Sequence, residues 1–404
     1  MPYYHSLFRK IYYMRKRNFY FVWAAFFAFS FAPLQAGAIS QPGTNNLQVN
    51  HPTRDRSLDG VYRLLDEMRA GMDDKAQDRA AAQAVKLVVA SSKNGEVITL
   101  YLRELMQFTK SRSQQKNILK ELGKTRSYKA LLYVTSFLNH PEFKKTAAQT
   151  VSQLVLSRPD FLDEGTKPAV EKACVLLSGL KAKTLRQLID KQTRQHQVKS
   201  GFVSLFNGKD LTGWKGLVAN PIKRLQMSSQ ELAAAQVKAD AQAKKSWVVE
   251  DGVLVFTGKG DNLCTVRQYG DFELLVDWKL HHGKEPDAGI YLRGTPQVQI
   301  WDTARVHVGA QVGSGGLYNN KVYESKPSKV ADERVGEWNT FRIKMIGDRV
   351  TVWLNGELVV NNVVMENYWD RKQPIPSIEQ IELQAHGSKV SYRDIYIREI
   401  PRKP

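Results

Sequence analysis

The sequence predicts an α-helical, repeat-like N-terminal domain followed by an antiparallel β-sandwich. From about His51 to Gln197, apolar residues recur at three- and four-residue spacing with few β-branched runs, the pattern of helices with one buried face. At Phe202 that spacing stops, and short alternating runs rich in Val, Ile, Phe, Tyr and Trp begin, separated by Gly, Asn and Asp. The chain is also 404 residues long, more than the roughly 250–300 residues that one hydrophobic core serves.

The elements follow in order. Arg9, Lys10, Arg15, Lys16 and Arg17 precede an apolar run from Phe19 to Ala32, then Pro33 and the small residues Ala36-Gly37-Ala38. This is the layout of a secretory signal over residues 1–38, its core too short for the roughly 18 residues that span a bilayer. Export to the periplasm or medium, with no membrane span after cleavage, is the expectation. Residues 39–50 read as a linker. Helical faces follow in Val61, Leu64, Leu65 and Met68, in Val85–Val89, Ile98–Phe108, Leu131–Leu138, Ala147–Leu156 and Val170–Leu180, joined by turn-like segments such as Asn139-His140-Pro141. Helices of this length joined by short turns suggest stacked pairs of the HEAT kind over 51–198, a surface that could dock a protein partner.

Residues 51–198 hold 26 Lys+Arg against 16 Asp+Glu, so most of the chain's +19 net charge outside the signal belongs to the helical part. The cations are interspersed with acids rather than gathered in an aromatic-flanked stripe, which predicts a solvated face and no nucleic-acid partner. A composition of 42% hydrophobic and 25% charged residues excludes a disordered chain and a multi-span membrane protein. Cys174 and Cys264 are too few for a disulfide scaffold, and no Cys/His spacing suits zinc.

Strands are expected at Gly252–Phe256, Asp271–Leu280, Gly289–Arg293, Val298–Trp301, Asn339–Ile346, Arg349–Leu354, Glu357–Val364, Glu379–Gln384 and Val390–Glu399. Asn355-Gly356 supplies the positive φ angles of a two-residue hairpin. Without helical crossovers between them, these strands make an antiparallel sandwich over 199–404. Within it, residues 228–245 read as an inserted, exposed helix.

The opening Phe202-Val203-Ser204-Leu205-Phe206-Asn207-Gly208-Lys209-Asp210-Leu211-Thr212-Gly213-Trp214 resembles that of the 3-keto-disaccharide hydrolase family. The likeness continues in order through Trp247–Gly252, Tyr269–Leu274, Gly289–Gly294, Val298–Asp302, Gly336–Thr340, Leu354–Gly356, Leu383–Gly387 and Tyr392–Ile395. Ala385 and Gln297 depart from it, standing where the family often carries an acid. The resemblance implies a concanavalin A-like (laminarinase-like) jelly roll that cleaves glycosides whose sugar is already oxidised at C3, with a 3-keto-disaccharide or glycoside as partner. A C3 ketone acidifies the C2 proton, so one base of moderate pKa and a group that polarises the ketone suffice for elimination at C1, and water can then add back. A carbohydrate-binding module without activity is the alternative reading of the same sandwich.

Strand alternation groups the polar side chains. Glu273 and Asp277 share one side of their strand, Tyr291 and Arg293 one side of theirs, Gln297, Gln299 and Trp301 another, and Glu382, Gln384 and His386 a fourth. Together these sets suggest one concave polar surface. His386, at a strand end between polar neighbours, is the candidate base, because imidazole titrates near pH 6.5. Glu273 and Asp277 are the competing catalytic carboxylates, though roughly 13 Å apart at strand rise they form no close dyad. The E-x-D-x-x-E spacing of laminarinase-type glucanases is missing, which argues against an ordinary retaining glucanase.

Arg293 is expected to hold sugar oxygens or the enolate, with a salt bridge to Glu273 or Asp277 as its other reading. Gln299 and Gln384 are expected to bind hydroxyls, and Trp301 and Tyr291 to stack on a sugar ring or fill the core. His281-His282 near Asp287 is a candidate divalent-cation site. The glycine-rich loop Gly309–Asn320 lacks the context of a phosphate cradle and is expected to be a mobile flap carrying Tyr318 and Lys321 to the sugar.

Overall fold

Side-chain caps start several helices where the apolar faces begin. In the computed structural model, which describes residues 57–194 and 200–402, the helical part runs α1 (Asp59–Ala70), α2 (Asp74–Ala90), α3 (Gly95–Phe108), α4 (Arg112–Leu122), α5 (Tyr128–Thr135), α6 (Lys144–Ser157), α7 (Lys167–Leu176) and α8 (Gly179–Arg194). The signal and linker expected over residues 1–50 lie outside the described residues. Asp73, Asn94 and Ser127 each accept a backbone N–H of the first turn of α2, α3 and α5, meeting donors that have no partner within the helix. The expected face Val61, Leu64, Leu65 and Met68 is buried. The run Val170–Leu180 is not one face. It breaks after Leu176, and Gly179, at φ +71°, opens α8, which buries Ala182, Leu185 and Ile189. Successive helices pack on one another around a core that includes Leu65, Leu102, Leu119, Val151 and Leu185.

The second part runs β1 (Val203–Ser204), β2 (Trp214–Gly216), α9 (Pro221–Leu225), α10 (Ser229–Ser246), β3 (Trp247–Glu250), β4 (Val253–Phe256), β5 (Leu263–Thr265), β6 (Phe272–Leu280), β7 (Asp287–Leu292), β8 (Thr295–Trp301), β9 (Asn339–Ile346), β10 (Arg349–Leu354), β11 (Glu357–Val364), β12 (Glu382–Leu383) and β13 (Val390–Glu399). The inserted helix α10 starts at a reciprocal capping box between Ser228 and Glu231.

Two antiparallel sheets form: β11-β10-β9-β6-β13-β4-β3 with β1 also on β13, and β2-β5-β12-β7-β8. Between them lies a second core, in which Phe272, Leu274, Val276 and Trp278 of the first sheet meet Ile290, Leu292, Val298 and Ile300 of the second. The strand pairing matches the expected sandwich. The other side of β6 is covered by the helices, so the order of layers is helices, eight-stranded sheet, five-stranded sheet.

Ion pairs hold that helix–sheet seam. Asp277 of β6, fully buried, is bonded by Lys129 of α5 and lies 3.4 Å from Arg103 of α3 and 3.3 Å from Arg393 of β13. Arg69 of α1 donates to both oxygens of buried Glu337 and to Glu104, while Glu333 accepts from Tyr101 and Tyr62 and pairs with Lys93. The basic surplus of the helical part is therefore not simply a solvated face: part of it neutralises acids of the sandwich.

The β10–β11 turn is seated on the same layer. Asn355 and Gly356 have φ +52° and +82°, and Asn94, the cap of α3, donates to the Asn355 carbonyl at 2.7 Å. A Cβ on Gly356 would stand 2.8 Å from the Asn94 side chain. Gly356→Ala is expected to cost about 1–2 kcal/mol, from the strained φ and a displaced cap. Urea unfolding checks this, and unchanged stability would show that the turn is not seated as described.

Candidate functional site

On the outer side of the five-stranded sheet, strand register lines up polar side chains in rows. Gln297, Tyr291, Glu382, Cys264 and Lys215 are successive partners across β8, β7, β12, β5 and β2. Gln299 and Gly289 are partners in the next row, with Gln384 beside Gly289 through its backbone N–H. Gly289 is required there, because a Cβ would stand 2.8 Å from Gln297. The following row pairs Asp287 with Trp301.

Hydrogen bonds join the rows. Gln297 donates to Gln299, and Gln299 donates to Asp287 Oδ1 at 2.8 Å. Arg305 donates to Asp287 Oδ2 at 2.8 Å, and His386 Nδ1 lies 3.9 Å from that same oxygen. The His386 side chain is 54% exposed, so its ring stands at the open edge of a buried carboxylate–guanidinium pair. Gln384 donates to the Tyr291 hydroxyl at 3.4 Å.

Glu382 is the most perturbed acid of the row. Burial pushes its carboxyl up to about 7, against Arg224 and the bond from Asn262, which pull it down. Burial, and next the Glu382 carboxylate, push the adjacent Cys264 thiol up to about 12, which makes it a poor nucleophile. Glu382 Oε1 and Gln384 Oε1 are buried without a hydrogen-bond partner.

The structure divides the residues expected on one surface. Gln299, Gln384, Tyr291, Trp301 and His386 lie together on the five-stranded sheet or at its edge. Glu273 and Asp277 do not join them: they face outward from the eight-stranded sheet, where Asp277 is enclosed by cations and Glu273 is bonded by Arg342 and Arg398. The two sides of β6 alternate as the sequence predicts, but its far side belongs to the helical layer. Arg293 is also elsewhere. It sits at φ +51° in the β7–β8 turn and donates to the carbonyls of Ser377 and Gly347, with Asp271 at 3.8 Å, tying loops at the sandwich edge instead of pairing with Glu273 or Asp277.

Trp301 is buried, its indole N–H bonded to Gly313 and its ring edge-on to half-exposed Tyr318, so Tyr318 is the more available of the two for a ligand. The glycine loop is not a mobile flap. Residues 313–317 are buried, and Gly315 and Gly316 exchange backbone bonds with Gln299 at the edge of β8. Lys321 is exposed beyond it, in a turn whose N–H groups at 321–323 all donate to Glu366. His281 bonds Ser391 at 2.7 Å and His282 lies beside Gly336, while Asp287 is engaged by Gln299 and Arg305. Among the described residues, no three His, Cys, Asp or Glu side chains gather as a metal site.

Arg305, Glu382 and Asp287 are site members whose roles sequence reasoning missed. The sequence groups Glu382 with Gln384 and His386 by alternation, but the strand expected over Glu379–Gln384 is only Glu382–Leu383, and Gln384 and His386 follow its end. The altered acidity of Glu382, by contrast, comes from burial among neighbouring strands.

Residues 201–398 match a family model described as a 3-keto-alpha-glucoside-1,2-lyase-like domain. Among solved structures, the chain is similar to two proteins of Parabacteroides distasonis provisionally designated glycosyl hydrolases. One is 26% identical, over 50% of this chain and 85% of that one, with a TM-score of 0.38. The other is 24% identical, over 50% and 95%, with a TM-score of 0.37. A carbohydrate-binding module from Bacillus subtilis is 13% identical, over 38% and 91%, with a TM-score of 0.27. No curated protein is significantly similar to the chain.

Proposed function

We propose, from the premise that residues 201–398 are a domain of the 3-keto-alpha-glucoside-1,2-lyase-like family, that this chain cleaves glycosides bearing a ketone at C3. The observation that carries the reading is the run from Glu382 at the end of a short strand through Gln384 to His386 in the segment that leaves it: a buried acid poised near 7, an orphaned acceptor and an open imidazole.

In this reading the oxidised ring sits at the His386 end. His386, with Nδ1 toward Asp287, takes the C2 proton through Nε2, and the nearby carboxylate stabilises the imidazolium. The C–H electron pair becomes the C1–C2 double bond, and the C1–O bond breaks. Arg305, whose Nε is buried without a partner, balances charge building on the ketone oxygen, the role expected of Arg293. Glu382, neutral below about 7, protonates the departing oxygen, and Gln384 holds a hydroxyl between them. Water adding across the enone completes a net hydrolysis.

The test is release of free sugar from a 3-keto-disaccharide and from its unoxidised parent, each with and without a chelator. Cleavage of the oxidised sugar alone is expected, with His386→Ala lowering kcat by about 10²–10⁴. Loss of activity with chelator would put a divalent cation in the ketone-polarising role instead of Arg305. Saturable binding without cleavage would sink the enzyme and leave a carbohydrate-binding module. Among the described residues no helix is long and apolar enough to cross a membrane. Export through the N-terminal segment belongs to the same proposal, and N-terminal sequencing of the mature protein after Ala38 tests it.

A further inference from the structure

A cavity of about 350 Å³ lies between the helices and the outer face of the eight-stranded sheet, on the opposite side of the sandwich from the His386 row. Its size is at the small end of ligand sites, room for about one sugar ring. Its walls hold guanidinium groups in fixed planes. Arg398 lies over Phe202 at 4.5 Å, Arg342 over Trp353 at 4.7 Å and Arg158 over Phe161 at 4.5 Å from ring centroid to guanidinium carbon.

The charges there do not balance. Arg342 and Arg398 share the single carboxylate of Glu273, one oxygen each. Arg126, exposed at the same cavity and held at φ +55°, pairs with no carboxylate among the described residues. Arg158 is neutralised by Asp160 in a two-point bond. Glu96 also lines the cavity, its carboxyl pushed up by burial, so four guanidinium groups meet three carboxyls and Arg126 supplies the surplus charge, while stacking on Trp353 and Phe202 fixes the planes of Arg342 and Arg398. A planar fork of donors fixed this way matches the paired oxygens of a carboxylate, sulfate or phosphate.

We propose that this cleft binds a small organic oxyanion of about one sugar ring in size, held by Arg126, Arg342 and Arg398. The site is independent of the catalytic reading, since no residue of the His386 row lines it. An acidic sugar and a free inorganic oxyanion would both satisfy the arginines, so the test separates them.

Isothermal titration of the full chain with glucuronate, glucose 6-phosphate, inorganic phosphate and glucose is the experiment. Saturable binding of a charged sugar is expected, with none of glucose, and at least a tenfold loss in Arg126→Glu, an exposed position that leaves the fold intact. Because Arg342→Ala also removes support from Glu273, circular dichroism and urea unfolding accompany that variant. Binding of inorganic phosphate as tight as that of the sugar phosphate would assign the site to the free ion. Absence of binding by every oxyanion, or unchanged affinity in Arg126→Glu, overturns the proposal. His386→Ala should leave the affinity unchanged, so failure here and failure of the glycoside reading are separable.

Discussion

Asp277→Asn is expected to destabilise the folded chain by about 3–5 kcal/mol, because it strips buried Lys129 of its carboxylate partner and leaves Arg103 and Arg393 to share Asp394. Lys129, Arg103 and Arg393 all approach this one carboxylate, and both Asp277 and Lys129 are almost wholly enclosed. Burial by itself would raise the Asp277 pKa, but Lys129, Arg393 and Arg103 outweigh it and hold the carboxyl well below the usual aspartate range. With the folded-state value depressed, the contribution is fully present above the ordinary aspartate pKa and is lost as pH falls through the folded-state value. Urea unfolding at pH 7 and at acid pH measures both parts. A loss below about 1 kcal/mol at pH 7 would show that water reaches the seam and screens it. Lys129→Met added to Asp277→Asn should recover part of the loss by removing one stranded cation, a result that a general packing defect would not give.

Glu382→Gln is expected to act in opposite directions on stability and on catalysis. The Glu382 carboxyl is raised from 4.5 to about 7, mainly by burial, so the folded chain holds this proton more tightly than the unfolded one. The native protein therefore loses stability as pH rises from about 4.5 through about 7, by roughly 3 kcal/mol, and the loss levels off above that. Glutamine keeps the shape without the ionisation. The variant should match the native chain near pH 4 and exceed it at pH 8 in urea unfolding.

Catalysis should fall in the same variant, and the leaving group makes the test specific. If Glu382 protonates the departing oxygen, the loss is about 10²–10⁴ in kcat for a sugar leaving group. It should be small for a 3-keto aryl glycoside, whose phenolate leaves without a proton. Equal losses on both substrates would reduce Glu382 to a structural part of the row. An alkaline fall in activity near pH 7 is expected with the sugar leaving group and not with the aryl one if this carboxyl is the general acid.

Local chemistry was readable wherever it acts within a few residues. Asn355-Gly356 makes its turn because those two residues tolerate positive φ, and β9, β10 and β11 have the bounds that their alternation predicts. The capped helix α10 follows from Ser228 and Glu231 three residues apart. The glycines at 313–316 answer to packing between distant segments. A Cβ on Gly315 would lie 2.8 Å from Val359, and one on Gly316 2.5 Å from the Ser325 carbonyl, so close packing, not mobility, requires them.

Sequence by itself determined the change from helices to strands, the longer strands, the hairpin, the inward side of β6 and the ordered family motifs, since each depends on spacing along the chain, while β1, β2, β3 and β5, two to four residues each, are too short to show alternation. Only the tertiary structure decided that Glu273 and Asp277 face the helices while Glu382, Gln384 and His386 lie on the other sheet or at its edge. Alternation tells which residues share one side of a strand. Which sheet that strand joins, and what then covers it, is set by partners as distant as Lys129 and Asp277, 148 positions apart. The acidity of Glu382 is decided in the same way, because desolvation depends on every neighbour that packs around a carboxyl and on none of them by sequence position.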